Sequence, residues 1–212
     1  MKILLILLAA LLALGTCLPL FMHYKVRNHA LSLVFKALGT ACALVLALLA
    51  AVHGGESRWL CVAALALCVA ADVLLEANFL LGMGLFIGGH LCYTAWFLNR
   101  APLGLAQLAA FAALMLFAGT LLMRWSPLMQ GRTVPFAVYA VILCLMGACG
   151  ITCLTEGSSS GFLAALGAAL FVISDAMVCK EVLMPVSRTF DWSAMAVYYA
   201  AQLCLGASCL LI

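Results

Sequence analysis

Residues 68–93 read CVAADVLLEANFLLGMGLFIGGHLCY, and this stretch indicates the fold more clearly than any other in the chain. Apolar residues run on both sides of the short link EAN at 76–78, and about 20 apolar residues are enough to cross a bilayer as a helix. Asp72 and His90 interrupt these two runs. Because a charged side chain at the centre of a membrane helix costs about 2.5–3.5 kcal/mol on insertion scales, ionisable residues at such positions point to a functional site.

The rest of the chain repeats this pattern. Of its 212 residues, 68% are hydrophobic and only 8% are charged, which excludes a soluble domain. We predict an all-α membrane protein, a bundle of about eight transmembrane helices, with spans near 2–22, 30–52, 58–77, 79–98, 102–123, 133–154, 160–180 and 191–212. The first run lacks a convincing signal-peptide cleavage site, so we interpret it as a span. The links are too short to fold alone, which predicts a single membrane domain over 1–212.

The basic residues predict the orientation of the chain. In an eight-span arrangement, one side of the membrane receives Lys25, Arg27, Arg124, Arg132, Lys180 and Arg188. The other side receives Lys2, Arg58 and Arg100. The positive-inside rule then places both termini outside or in the lumen of a multi-pass protein of a bacterial cell membrane or the endoplasmic reticulum. No basic stripe suggests nucleic-acid binding, and the oligomeric state is left open.

The eleven cysteines lie mainly in the apolar runs. Their odd number and the absence of a CxxC pair argue against a disulfide framework or a zinc site. We interpret them as small buried hydrophobic residues, and we predict no metal and no cofactor.

Polar residues from six predicted spans share one depth. Lys36, Asp72 and Asp175 each lie six residues from a predicted helix end, which is about 9 Å below the cytoplasmic interface at 1.5 Å per residue. Tyr139 reaches a similar level, and the deeper members of the group are His90, Tyr93, Tyr198, Tyr199 and Gln202. The shared depth allows these groups to converge, with Lys36 as a buried partner for an aspartate.

Helical spacing indicates which of these residues share a face. His90 and Tyr93 are three residues apart and therefore neighbours on one helix, and either Tyr198 or Tyr199 can pair in the same way with Gln202.

Gly84 and Gly88 form a small-xxx-small pair in the same span as His90. Such a pair predicts a close approach of a neighbouring helix at these two positions.

At these positions the sequence resembles the YhhN/TMEM86 family of integral membrane proteins. The matching pieces, in order, are FKALGT, AADVLL, GLFIGGHLCY, PFAVYAVILCLMGA, ALGAALFVISDAMV and YYAAQLCLGAS. Ala37 and Ala71 depart from the proline and glycine that the family often has there. The resemblance implies an eight-helix bundle that hydrolyses the vinyl ether bond of lysoplasmalogens to a fatty aldehyde and a glycerophospho-base. The implied site residues are Lys36, Asp72, His90, Tyr93, Tyr139, Asp175, Tyr199 and Gln202.

Vinyl ethers are hydrolysed by acid, so two carboxyls in a poorly solvated pocket suit this chemistry, one as the acid and one as the carboxylate. We expect Asp72, Asp175 and His90 to be catalytic, and we expect the substrate, a membrane lysophospholipid, to be bound by Lys36, Tyr93, Tyr139, Tyr198, Tyr199 and Gln202. Sequence alone does not say which aspartate is the acid. Two alternatives stay open, because intramembrane charges also mark proton-coupled carriers and because polar residues also join helices in lipid-binding proteins without catalysis.

Overall fold

The computed structural model describes residues 1–212 and contains eight helices long and apolar enough to span a membrane, with no strand. The prediction of an all-α bundle of eight spans is confirmed. The helices are α1 (Lys2–Tyr24, with a π-helical segment at Leu11–Cys17), α2 (His29–Val52), α3 (Arg58–Ala77), α4 (Phe79–Leu98), α5 (Leu105–Leu128), α6 (Thr133–Glu156), α7 (Ser159–Leu183) and α8 (Arg188–Leu211).

Polar residues in the links fix where several helices begin. Asn28, Asn78, Ser158 and Ser187 each use a side-chain oxygen to accept a hydrogen bond from the backbone N–H three residues later. This is the N-cap arrangement that satisfies one of the unpaired N–H groups of a first helical turn.

The fifth helix begins later than the predicted residue 102. The connection before it contains Pro102 and Gly104, and Gly104 has an extended backbone with φ of −160°. The Gln107 side-chain amide donates to the Pro102 carbonyl at 2.7 Å. This turn keeps residues 102–104 out of the helix, which starts at Leu105.

The last helix, α8, is the centre of the bundle. In its apolar membrane-spanning stretch 72% of the residues are buried, and α1, α2, α3 and α7 pack against it. α4 packs on α3, and α6 packs on both α4 and α7, so successive contacts from α1 to α7 form an open ring beside α8. α5 lies outside this ring against α6.

Close packing of α3 and α4 occurs at glycines other than the predicted pair. A Cβ on Gly82 would lie 2.4 Å from the Leu75 Cα, and a Cβ on Gly89 would lie 3.1 Å from the Cys68 Sγ. Nothing lies within 4 Å of the same position on Gly84, and a Cβ on Gly88 would make only an ordinary contact, 3.4 Å from Leu67 Cδ1. The expectation of a close approach at Gly84 was therefore wrong: Gly82 and Gly89, two turns apart, define the face of α4 that meets α3.

A polar cluster closes the end of the bundle opposite the α1–α2 link. The Arg100 guanidinium donates to both oxygens of Glu156 at 2.8 and 2.9 Å, to the Ser208 hydroxyl at 2.7 Å and to the Ser160 hydroxyl at 3.0 Å. It also lies 4.8 Å from the Trp96 ring. These contacts connect the ends of α4, α6, α7 and α8. The eleven cysteines are free thiols, each buried or half-buried.

Candidate functional site

A cavity of about 400 Å³ opens at the end of the bundle that carries the α1–α2 and α7–α8 links. Of its 30 lining residues, 23 are hydrophobic. The other seven are all charged: Lys25, Lys36, Asp72, Glu76, Asp175, Glu181 and Asp191. The structure thus brings both predicted aspartates and the predicted lysine to one apolar cavity.

Asp72, on α3, is held by hydroxyl groups from two other helices. The Thr40 hydroxyl donates to Asp72 Oδ2 at 2.5 Å, and the Tyr198 hydroxyl donates to the same oxygen at 3.0 Å. Behind Tyr198, the Gln202 amide donates to the Tyr198 oxygen at 3.0 Å, and the Tyr93 hydroxyl donates to Gln202 Oε1 at 2.8 Å. A directed chain of hydrogen bonds from α4 and α8 therefore ends on Asp72 Oδ2, while its Oδ1 accepts none.

Asp175, on α7, has a separate network. The Tyr139 hydroxyl donates to Asp175 Oδ2 at 2.5 Å, and His90 Nε2 lies 3.0 Å from the same hydroxyl and 3.4 Å from the Asp175 oxygen. Tyr139 has a single proton, which it gives to Asp175, so its oxygen accepts from a protonated Nε2. The other ring nitrogen of His90, Nδ1, has no hydrogen-bond partner. His90 is fully buried beside Phe171 and does not line the cavity.

Lys36 pairs with a different acid from the one expected. Its Nζ lies 3.5 Å from Glu76 Oε1, and no oxygen of Asp72 lies within 4 Å of it. Glu76 is one turn beyond Asp72 towards the membrane surface, where its side chain is 38% exposed. The hydroxyls of Thr40 and Tyr198 take the place at Asp72 that sequence reasoning gave to Lys36.

The two adjacent tyrosines of α8 have different environments. Tyr198 lines the cavity and pairs with Gln202, which resolves the alternative left by the sequence. The Tyr199 hydroxyl instead donates to the backbone carbonyls of Phe35 and Lys36 at 3.2 and 3.0 Å. Its ring fills the space over Gly39, where a Cβ would lie 2.2 Å from the ring. Tyr199 therefore joins α8 to α2 away from the cavity.

The mouth of the cavity carries an ion-pair cluster. Lys25 Nζ donates to both oxygens of Asp191 at 2.9 Å and to Glu181 Oε1 at 3.0 Å. Burial lowers the pKa of Lys25, but the hydrogen bonds and charges of Asp191 and Glu181 outweigh it, and the net pKa is raised. The cluster joins the ends of α1, α7 and α8 beside the opening.

Comparison with known proteins agrees with this architecture. A model of the YhhN family matches residues 31–209. The chain belongs to the YhhN family. It is also 35% identical over 171 residues to the Rattus norvegicus protein named lysoplasmalogenase TMEM86B, an alignment that covers 79% of this chain and 68% of the rat protein. No solved structure matches. With eight apolar helices, this YhhN-family member is a multi-pass membrane protein.

Sequence reasoning missed several residues that shape the site of this YhhN-family protein. Thr40 lies four residues after the predicted site residue Lys36, so helical spacing could have found it. Phe171 packs against His90 and Tyr198 at ring-centroid distances of 4.8 and 5.7 Å. Nothing distinguishes Phe171 from the other apolar residues of α7 in the sequence. No three His, Cys, Asp or Glu side chains are close enough together to hold a metal ion.

Proposed function

We propose that this protein is a lysoplasmalogenase that hydrolyses the vinyl ether bond of single-chain 1-alkenyl glycerophosphocholine or glycerophosphoethanolamine. The products are a fatty aldehyde and the glycerophospho-base. One observation carries the proposal: Asp72 and Asp175, from different helices, line one apolar cavity, each with Oδ2 bonded to a tyrosine and Oδ1 without a hydrogen bond. The name of the rat relative supports the substrate class.

The reaction requires one carboxylic acid and one carboxylate. The acid transfers its proton to the β-carbon of the vinyl ether, and the electron pair of the ether oxygen forms an oxocarbenium ion. The carboxylate stabilises this cation and takes a proton from the water that attacks it, which yields a hemiacetal. As the hemiacetal collapses, the carboxyl that took the proton from water gives it to the departing glycerol oxygen, and the hemiacetal hydroxyl gives its proton to the other carboxylate. The aldehyde and the alcohol are released, and both carboxyls return to their starting states. Glycoside hydrolases use a similar pair of carboxyls against a similar cation.

The hydrogen bonds favour one division of roles between the aspartates. Asp72 accepts from two hydroxyls, and donors of this kind stabilise a carboxylate, so we give it the ionised role. Asp175 accepts one hydroxyl hydrogen bond, and its side chain is 11% exposed to the cavity. Because Asp175 accepts fewer hydrogen bonds than Asp72, we give it the role of acid.

The other predicted residues act at different distances from the lipid. Lys36 lies on the cavity wall with Glu76 as a partner at 3.5 Å, longer than a good hydrogen bond, and its ammonium is available to a lipid phosphate. Tyr139 and Tyr198 also line the cavity and can contact the substrate. His90 and Gln202 are positioning residues that fix the hydroxyl directions of these two tyrosines.

Aldehyde release from the purified protein tests the proposal. Lyso-plasmenylcholine and lyso-plasmenylethanolamine are incubated in detergent, and the aldehyde is trapped. Asp72→Asn and Asp175→Asn should each reduce turnover by about 10²–10⁴-fold, the usual contribution of a general acid or base. The matched control is Glu56→Gln, the same acid-to-amide change in the exposed α2–α3 link.

Substrate analogues separate this reaction from its rivals. Alkyl-ether and acyl lysolipids should not be cleaved, because neither offers an electron-rich vinyl carbon to a proton. Comparable fatty-acid release from an acyl lysolipid would indicate an esterase and reject the mechanism. Transport of lysolipid across liposome membranes without aldehyde release would indicate a carrier instead. Asn variants that fold and keep normal turnover would exclude the aspartates from catalysis.

We further propose that the cavity opens towards the cytoplasm and that both termini are outside or lumenal. Six basic residues lie in or beside the links at the cavity end, against three at the other end, so the positive-inside rule assigns the cavity end to the cytoplasm. A cysteine-free variant carrying Ser159→Cys, at the start of α7 beside the α6–α7 link, should react with an impermeant thiol reagent from outside. The variant carrying Pro127→Cys, at the cavity end, should not react until the membrane is opened, and the reverse pattern would invert the orientation.

A further inference from the structure

The side of the cavity formed by α5 is not closed by helix packing. Only 6% of the residues in the apolar stretch of α5 are buried, against 72% for α8. The one helix that packs along α5 is α6. Phe117, Leu121 and Trp125 of α5 nevertheless line the cavity, facing α7 across a gap. The wall between the reaction site and the surrounding lipid is thus one loosely packed helix.

The outer side of this gap is an apolar groove of about 270 Å³. Seven of its eight lining residues are hydrophobic, and Phe117, Leu121, Trp125 and Ala176 line both the groove and the cavity. Ala176 directly follows Asp175 in α7, so the groove reaches the wall of the cavity beside a predicted catalytic carboxyl. The same four side chains therefore border both the lipid-facing groove and the cavity that Asp175 lines.

We propose that the groove between α5 and α7 binds the hydrocarbon chain of a single-chain lipid and is the lateral route by which the substrate reaches the cavity from the bilayer. The inference rests on the proposed function for the identity of the lipid. An alkyl chain fits because the lining carries no polar group except Lys180, whose ammonium lies 4.7 Å from the Phe190 ring at the end of the groove. With the chain in the groove, the first atoms of the lipid tail lie next to Asp175.

A binding experiment tests the route without requiring turnover. The probe is a lysolipid with a saturated alkyl-ether chain that carries bromine atoms and cannot be hydrolysed by protonation. It should quench Trp125 fluorescence saturably, unbrominated lysolipid should reverse the quenching, and Trp125→Phe should remove that component. Quenching that does not saturate, or that persists unchanged in Trp125→Phe, would overturn the proposal.

A second experiment closes the groove with a bulky side chain. Ile173, 50% exposed, lines the groove but not the cavity, and Val45 on α2 is a matched lipid-facing position at 52% exposure. Ile173→Trp should weaken binding of a long-chain alkyl-ether lysolipid by about tenfold, the effect of losing burial of about two methylene groups. It should leave a butyl analogue unaffected, and Val45→Trp should change neither ligand.

The outcomes separate this inference from the function on which it rests. If binding depends on chain length but no vinyl ether releases aldehyde, the role of the groove in binding the chain is supported and the lysoplasmalogenase assignment is rejected. If aldehyde is released and the wild type and Ile173→Trp bind the long-chain lysolipid with equal affinity, the proposed function is supported and the lateral route is rejected. A dimer that Ile173→Trp converts to a monomer, with unchanged lipid affinity, would show that a second copy of the chain covers the groove and would also reject it.

Discussion

Replacing each of the two adjacent tyrosines of α8 by phenylalanine should separate catalysis from stability. The Tyr198 hydroxyl donates to Asp72 and accepts from Gln202, and it lines the cavity. The Tyr199 hydroxyl contacts only two backbone carbonyls of α2. Both changes remove one oxygen atom, so a difference between the variants reports what each oxygen contacts.

The expected magnitudes follow from those contacts. A hydrogen bond to a charged group contributes about 1.5–3 kcal/mol. If Tyr198→Phe loses this stabilisation of the Asp72 carboxylate in the transition state, turnover should fall by about 10- to 150-fold. The Tyr199 hydroxyl donates to neutral carbonyls, so Tyr199→Phe should lower the free energy of unfolding by about 0.5–1.5 kcal/mol and leave turnover per folded molecule near normal.

The assay is aldehyde release from lyso-plasmenylcholine, normalised to the folded fraction from thermal unfolding in detergent. Equal loss of turnover in the two variants, at equal folded fraction, would mean that Tyr199 also acts in the reaction, and the reasoning from their contacts would be refuted. Full turnover in Tyr198→Phe would show that the Asp72 hydrogen bond is dispensable.

Three further predictions concern stability. Gly82→Ala should destabilise the bundle by about 1–3 kcal/mol, because the new methyl group meets the α3 backbone. Gly84→Ala has open space around it and should stabilise the bundle by up to about 1 kcal/mol. The opposite order of melting temperatures would contradict the packing of α3 on α4. The raised pKa of Lys25 means that its ion pairs contribute fully below its unfolded value of about 10.4 and are lost as pH rises through the higher folded value. Lys25→Met should therefore lower the melting temperature at neutral pH and flatten its decline at alkaline pH, and an unchanged alkaline slope would argue against the pairing. Arg100→Met should cost about 1–3 kcal/mol of stability, because it removes the donor to the buried Ser160 and Ser208 hydroxyls and to Glu156. Turnover per folded molecule should be retained, and a loss of turnover at full folding would tie this distant cluster to the reaction.

The number and positions of the helices could be predicted because the bilayer sets the length of an apolar span. The fixed rise per residue of a helix puts Asp72 and Asp175 at one predicted depth, and in the structure both line one cavity. The start of α5 depended instead on local geometry at Pro102 and Gly104, which shifts a boundary by a few residues.

Rotation of each helix about its axis could not be predicted. Adjacent residues point about 100° apart around a helix, so the choice between Tyr198 and Tyr199 depends on packing that only the folded bundle defines. Gly39 provides the space that Tyr199 occupies, and this contact turns Tyr198 towards Asp72. The glycine contacts between α3 and α4 were missed for the same reason.

Two polar clusters inside this bundle differ in how completely their groups are bonded. Arg100, at the closed end, donates to both oxygens of Glu156 and to two serine hydroxyls, so it is satisfied by the protein alone. At the cavity, Asp72 and Asp175 each keep an oxygen without a hydrogen bond, and the Lys36 ammonium has only a long contact. Buried polar groups in native proteins are nearly always bonded, and exceptions call for a role outside folding. The groups of Asp72, Asp175 and Lys36 that lack a close hydrogen-bond partner face a cavity of about 400 Å³. This difference in bonding, rather than burial or charge, distinguishes the cluster at the cavity from the cluster around Arg100.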